Sequence, residues 1–287
     1  MTNAIEKANI ICEALPYINK LSGKTVVIKY GGNSMQNEAV INTIMQDIAM
    51  LKIVGANPVL VHGGGPEINK MLEKLDIKSV FHNGLRITDK ATMEVVQMVM
   101  GGKINKDITS RLNCLGVKAI GLSGKDGQLI TVEKAPPENG VDYGYVGRIT
   151  RINAEMLFGL CGDGYIPVIA GIGADEAGES YNINADSVAG EIAAALKAEK
   201  LIYLTDVDGV RRDERDLASL ISEISASEIR RMIADGSISG GMIPKVLSCA
   251  ASIERGVNNV HIINGTVPHP VLLEIFTDTG IGTMITK

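Results

Sequence analysis

Residues 27–34 read VIKYGGNS. With Val26 ahead of it, this run is apolar enough to lie inside a sheet, yet it ends on Lys29 and then on Gly31 and Gly32. A core strand that finishes on a charge and on bare backbone needs a physical reason, and the chain repeats the pattern. VLVHGGG (59–65) closes on a histidine and three glycines, VIAGIG (168–173) on Gly171 and Gly173, and LIYLTDVDG (201–209) on Thr205, Asp206 and Gly209. Glycines between a strand and a helix let backbone N–H groups approach an anion, and the helix that follows adds its positive end. In open α/β sheets ligands bind beyond the carboxyl ends of the strands, so several such turns in one chain point to a shared anion site.

Working outward, short apolar runs at 26–29, 59–62, 119–122, 168–171, 201–205 and 260–263 read as strands. Continuous Val, Ile and Leu suit a parallel sheet covered on both faces. Helical spacing fills 35–54, 67–75, 88–115, 153–160, 187–199, 226–235 and 244–256. Strands alternating with helices predict an open, mostly parallel α/β sandwich. Residues 129–133 and 145–149 alternate around KAPPENGVDYG and predict a β-hairpin. Ahead of the first strand, Ile5, Ala8, Ile11, Cys12, Leu15, Ile18 and Leu21 mark one face of a helix interrupted by Pro16. That face either packs on its own domain or docks on another subunit.

Composition narrows the function classes. At 45% hydrophobic and 21% charged, the 287 residues suit a globular protein with a large core. A net charge of −5 and 3% aromatic residues without tryptophan argue against nucleic-acid and anionic-membrane partners. Four dispersed cysteines, a start with Glu6 and Lys7 where a leader would be apolar, and no run near the ~20 apolar residues of a bilayer span lead to an expected cytoplasmic location. The chain has no GxxxxGK[ST] and no GxGxxG after a strand, and its HGGG lacks the GxSxG an esterase would need. His62, His82, His261 and His269 have no metal-ligand spacing, so no dedicated metal cage is expected. Isolated polar groups near the glycine turns remain: Lys29, Arg86, Lys245 after SISGGMIP, and Asp186 in YNINAD. Singly, each lysine reads as solvated surface, and Asp186, Asn182 and Asn184 as cap and turn formers.

Taken together, VIKYGGN, VLVHGGGPEIN, FHNGLRITD, GDGYIPVIAGIG, YNINAD, LIYLTDVDGV and GGMIPKV resemble, in order, the motifs of the amino-acid kinase family. NGLRIT and YNINAD resemble the branch acting on N-acetyl-L-glutamate. The resemblance implies ATP-dependent phosphorylation of that substrate's side-chain carboxylate, in arginine biosynthesis, with Mg²⁺ arriving on ATP. It implies Lys29 and Lys245 on the phosphate oxygens and Asp186 organising both lysines. Gly64, Gly65, Arg86 and Asn182 would hold the substrate, Gly31 and Gly32 would surround the transferring phosphoryl, and Thr205, Asp206, Gly209 and Val210 would form the nucleotide-side loop. It further implies an N-terminal substrate lobe over 1–197 and an ATP lobe over 198–287, with the hairpin as a lid. The first helix and the ending PHPVLLEIFTDTGIGTMI resemble arginine-inhibited hexameric members, although Thr279 stands where an acid is expected and leaves Asp278 or Glu274 to replace it. A dimer or hexamer and L-arginine as inhibitor follow as expectations; docking by a PII-type regulator is left open by the sequence. Carbamate, aspartate, glutamate and UMP kinases of the same family, and a non-catalytic sensing module, are the alternatives.

Overall fold

The computed structural model describes residues 2–213, 215–278 and 280–287, so Thr279 lies outside the described residues. Helix α1 (Thr2–Glu13) and α2 (Leu15–Leu21) lead into β1 (Thr25–Tyr30), a 3-10 turn over Gly32–Met35, α3 (Glu38–Ile53), β2 (Asn57–His62) and α4 (Gly65–Lys74). A hairpin of β3 (Val80–His82) and β4 (Leu85–Ile87) precedes α5 (Lys90–Val96), which continues through a π-helical stretch, Gln97–Ile104, into α6 (Asn105–Cys114). There follow β5 (Lys118–Ser123), β6 (Ile130–Lys134), β7 (Gly147–Ile152), α7 (Ala154–Gly162), β8 (Tyr165–Ala170), β9 (Ile172–Ala174), β10 (Ser180–Asn182), α8 (Ala185–Ala195) and β11 (Lys200–Thr205). The chain ends with β12 (Glu223–Ser225), α9 (Ala226–Ala234), α10 (Met242–Glu254), β13 (Asn259–Asn264), α11 (Pro270–Ile275) and β14 (Thr283–Thr286).

Among the described residues the main sheet runs β12-β14-β13-β11-β1-β2-β8-β5. Its pairs are parallel except β13 with β14, which agrees with the mostly parallel sandwich anticipated. Val26, Val27 and Ile28 are all 0% exposed, as a central strand covered on both faces requires. On one side β1 is followed by β2, β8 and β5, on the other by β11 and β13, so the order reverses at β1 and opens a crevice beyond its carboxyl end.

Differences from the sequence reading lie at element ends. The helix anticipated from Met35 starts at Glu38, because Asn37 accepts from the Ala39 N–H at 3.0 Å and caps it. Asp89 does the same for Thr92 at 2.8 Å, which puts Thr88 outside the 88–115 helix. The helix anticipated over 187–199 spans Ala185–Ala195, and Lys197 just beyond it, with φ +46°, turns the chain out of the helix. Strand 168–171 stops at Ala170, where the Gly171 carbonyl turns to accept from Ile183 N–H. The hairpin at 129–149 pairs β6 with β7, both strands lying slightly later in the chain than anticipated, and belongs to a four-stranded sheet, β10-β9-β6-β7. Pro16 cannot continue the first helix, which breaks into α1 and α2. Ile5, Ile11 and Leu15 are each more than half exposed whereas Leu21 is buried, so the face is uncovered within the chain along α1 and packs fully only at the end of α2.

One polar contact ties distant elements. Asp47 in α3 is 0% exposed, and its carboxylate accepts from His269 Nδ1 at 2.6 Å and from the Val271 and Leu272 N–H groups at 3.1 and 3.3 Å. It caps α11 from another helix, in the place a local cap residue would fill.

Candidate active site

The pleat decides where Lys29 points. Val26, Ile28 and Tyr30 enter the core layer under α3, whereas Val27 enters the layer under α8, so Lys29 also faces α8. Its ammonium stands 3.0 Å from Asp186 Oδ1. Asp186 lies in the first turn of α8, favourable for a carboxylate. Capping, the ordinary expectation for this acid, falls instead to Asn184, whose Oδ1 accepts from the Asp186 and Ser187 N–H groups at 2.8 and 3.3 Å. Tyr203 lies opposite Lys29 in the register of β11, and its hydroxyl donates to the Asp186 carbonyl oxygen at 3.3 Å. Lys245 lies in the first turn of α10. Burial pushes the Cys249 thiol up, Asp186 adds to this and Lys245 opposes it, so both charges bear on one point of the core.

Two glycine turns meet at the lysine. A methyl group on Gly31 would lie 3.5 Å from both Lys29 Nζ and the Gly63 amide nitrogen. Gly32 has φ +71°, where a side chain would be strained. Ser34 Oγ fixes the loop by donating to the Gly31 carbonyl at 2.9 Å. Beyond the second turn, Gly64, Gly65, Arg86 and Asn182 line one cavity of about 180 Å³ with Phe81 and Asn184. Arg86 is 6% exposed, its guanidinium carbon is 4.5 Å from the Phe81 ring centre, and Nη1 donates to Ser79 Oγ. Among the described residues no carboxylate forms an ion pair with it, and burial lowers its pKa. Asn182 Nδ2 donates to Thr88 Oγ1 at 3.4 Å. A buried guanidinium without a partner acid, facing a small cavity, is arranged to receive an anion from outside the chain.

The loop after β11 is separate from that cavity. Thr205 Oγ1 donates to the Val207 carbonyl at 2.9 Å, and Asn264 donates to Asp208 at 2.8 Å. Gly209 (φ +153°) leaves no room for a Cβ, which would lie 2.4 Å from Thr283 Oγ1; that oxygen accepts from the Val210 N–H at 2.8 Å. Val210 is 1% exposed, and Asp206 is exposed at the rim.

A sequence model of the amino acid kinase family matches residues 24–264. The chain belongs to the amino acid kinase family. An acetylglutamate kinase of Caldicellulosiruptor saccharolyticus is 58% identical over 288 residues, 99% of this chain and 98% of that protein. One from Methanocaldococcus jannaschii is 54% identical over 295 residues, 100% of this chain and 98% of that protein. Among solved structures, the N-acetylglutamate synthase of Neisseria gonorrhoeae complexed with coenzyme A and N-acetyl-glutamate superposes with a TM-score of 0.87 at 28% identity, over 98% of this chain. The chain spans only 63% of that synthase. The carbamate kinase of Giardia lamblia, at 19% identity and a TM-score of 0.68 over 92% of this chain and 99% of that one, shares the fold.

This member of the amino acid kinase family has a second cleft, of about 590 Å³, between α2 and the β13–α11 region, lined by Tyr17, Lys20, Glu199, Lys200, His261 and Asp278 among others. Tyr17 donates to Asp278. Glu274 is already engaged by His261 Nδ1 at 2.7 Å and by the Ile281 and Gly282 N–H groups at 2.7 and 3.0 Å. Among the described residues no helix is long and apolar enough to cross a membrane. Sequence reading passed over Ser79, Phe81 and Asn105. None sits in a glycine turn, and contacts such as Arg86 with Phe81 arise only when β3 folds back on β4.

Proposed function

We propose that this protein phosphorylates the side-chain carboxylate of N-acetyl-L-glutamate with ATP, giving an acyl phosphate and ADP. One observation carries the reading: the Lys29–Asp186 pair and the Gly31 turn meet the Gly63–Gly65 turn, which lines a cavity shared with the buried Arg86, and among the described residues no carboxylate pairs with that arginine. A glutamate-like carboxylate, with a pKa of about 4.3, is ionised at neutral pH and needs no general base. The task is to hold two anions in line and to stabilise charge on the transferring phosphoryl. In this reading Lys29 and Lys245 bind phosphoryl oxygens, Asp186 orients both lysines, and Gly31 and Gly32 bound the phosphoryl path. Gly64, Gly65 and Asn182 hold the acceptor, and Arg86 grips its α-carboxylate as a planar fork. Thr205, Asp206, Gly209 and Val210 border the nucleotide. Mg²⁺ would offset charge on the phosphates, ligated mostly by them and by water; among the described residues no three metal-ligating side chains converge to hold it.

Residues 1–197 form the substrate lobe and 198–287 the ATP lobe in this reading, with the β6–β7 hairpin as a lid whose connecting segment, at Val146, borders the cavity. L-arginine inhibits from the second cleft, its guanidinium paired with Asp278 since Glu274 is occupied, and the exposed face of α1 joins subunits beyond a dimer. The deciding measurement is hydroxylamine trapping of acyl phosphate with Mg-ATP and a panel of N-acetylglutamate, glutamate, aspartate and carbamate, with UMP followed by ADP release. Turnover confined to N-acetylglutamate is expected; turnover of UMP or aspartate without it would overturn the assignment.

A further inference from the structure

His62 closes β2, is 0% exposed, and takes part in none of the steps above. Burial pushes its pKa down to about 4, so the ring is neutral at working pH and carries one donor and one acceptor. Which nitrogen holds the proton follows from Gly63, whose carbonyl oxygen lies 2.9 Å from Nδ1 and can only accept, so Nδ1 carries the hydrogen and donates it. Nε2 is then an acceptor, and it lies 3.1 Å from the Asn105 amide nitrogen. That nitrogen is also 2.8 Å from the Val168 carbonyl oxygen and 3.2 Å from that of Leu122, so its two hydrogens are shared among three acceptors, and Lys106 Nζ at 3.2 Å from Oδ1 fixes the orientation of the amide.

That carbonyl shares a peptide plane with the Gly64 N–H. In a trans unit the two groups point to opposite sides, and no cis bond occurs among the described residues. A C=O held toward His62 therefore turns the Gly64 N–H away from it, on the residue that lines the cavity with Arg86 and Asn182. Three successive glycines would not keep that orientation unaided. The helix behind them supplies the rest. In the π-helical stretch the Asn105 N–H donates to the Met100 carbonyl, five residues back. Met100 and Ile104 then crowd Gly64 so closely that a Cβ there would meet Ile104 Cδ1 at 2.7 Å and Met100 Cγ at 3.0 Å.

We infer that His62 and Asn105 are positioning residues that aim the Gly64 amide at the acidic acceptor. The inference rests on the acceptor reading given above. Three variants separate aiming from packing. In His62→Asn the amide nitrogen takes the place of Nδ1 and keeps the bond to Gly63; His62→Gln replaces only the Nε2 side; His62→Phe keeps the volume and neither bond. The expected order is an acceptor KM within about threefold of the unmodified protein for His62→Asn and raised about tenfold for His62→Phe and His62→Gln, with the KM for ATP changed less than about twofold. If His62→Phe behaves like the unmodified protein and His62→Asn is the worst, the ring is packing only and the inference falls. ¹⁵N NMR of the unmodified protein should find the Nδ1–H tautomer, and an Nε2–H tautomer would overturn the inference without kinetics. Failure of the acceptor reading is seen separately, as absent turnover of N-acetylglutamate by the unmodified protein. The same ranking is then read in the KM of whichever panel acid is phosphorylated.

Discussion

Lys29 is held for its task from three sides: the pleat turns it toward α8, Asp186 meets it at 3.0 Å, and Tyr203 steadies the Asp186 backbone. With roles as proposed, Lys29→Ala and Lys245→Ala should each lower kcat about 10²- to 10³-fold, the scale of losing one preorganised stabiliser of transition-state charge. Steady-state kinetics should show much smaller changes in KM, and an unchanged kcat would remove that lysine from the chemistry. Lys29 was legible in the sequence because the apolar run before it predicts a buried strand whose end must meet something. The division of labour between Asn184 and Asp186 was not, since both residue types cap helices and they stand two positions apart. Ser79 and Phe81 carry no local signal: they matter only where β3 lies beside Arg86 on β4.

Elements were read well where they are long, and poorly where they are short. Each anticipated strand lies largely within one of β1, β2, β5, β8, β11 and β13, each six residues long, and in all but the edge strand β5 burial on both faces keeps the run almost wholly apolar. The edge strand β12, its neighbour β14 and the small β3–β4 and β9–β10 hairpins span only three or four residues, too few to show a period. The π-helical stretch was also hidden, because GGK between apolar neighbours fits an ordinary helix as well. Asp47 shows in the sequence only as a charge interrupting the apolar face of α3, yet its fully buried carboxylate organises the start of α11. Replacing it strands two amides and a histidine nitrogen, so Asp47→Ala should lower stability by about 2–4 kcal/mol. Urea unfolding at neutral pH measures this, and a loss below about 0.5 kcal/mol would make the contact incidental.

For the whole molecule, the buried histidines set a pH dependence. Burial lowers the pKa of His62 to about 4 and also lowers that of His261. Below the ordinary value of about 6.5 the unfolded chain takes up these protons while the folded chain does not, so stability falls as the pH drops through that range. For His62 the loss is complete near pH 4 and amounts to roughly 3 kcal/mol. Glu67, drawn down to about 2 by Lys103 and Lys70, adds its own loss only below about pH 4.5. Thermal unfolding midpoints should therefore decline between about pH 6.5 and 4, and His62→Phe should decline less; equal slopes would show that His62 is charged in the folded state. The sheet has another consequence. β1 is bonded to β2 on one edge and to β11 on the other, so the proposed substrate and nucleotide halves share a single hydrogen-bonded ribbon, not a hinge between separate blocks. Drawing them together cannot open a seam, so the strain of any approach falls on the sheet itself and on the loops beyond its strand ends.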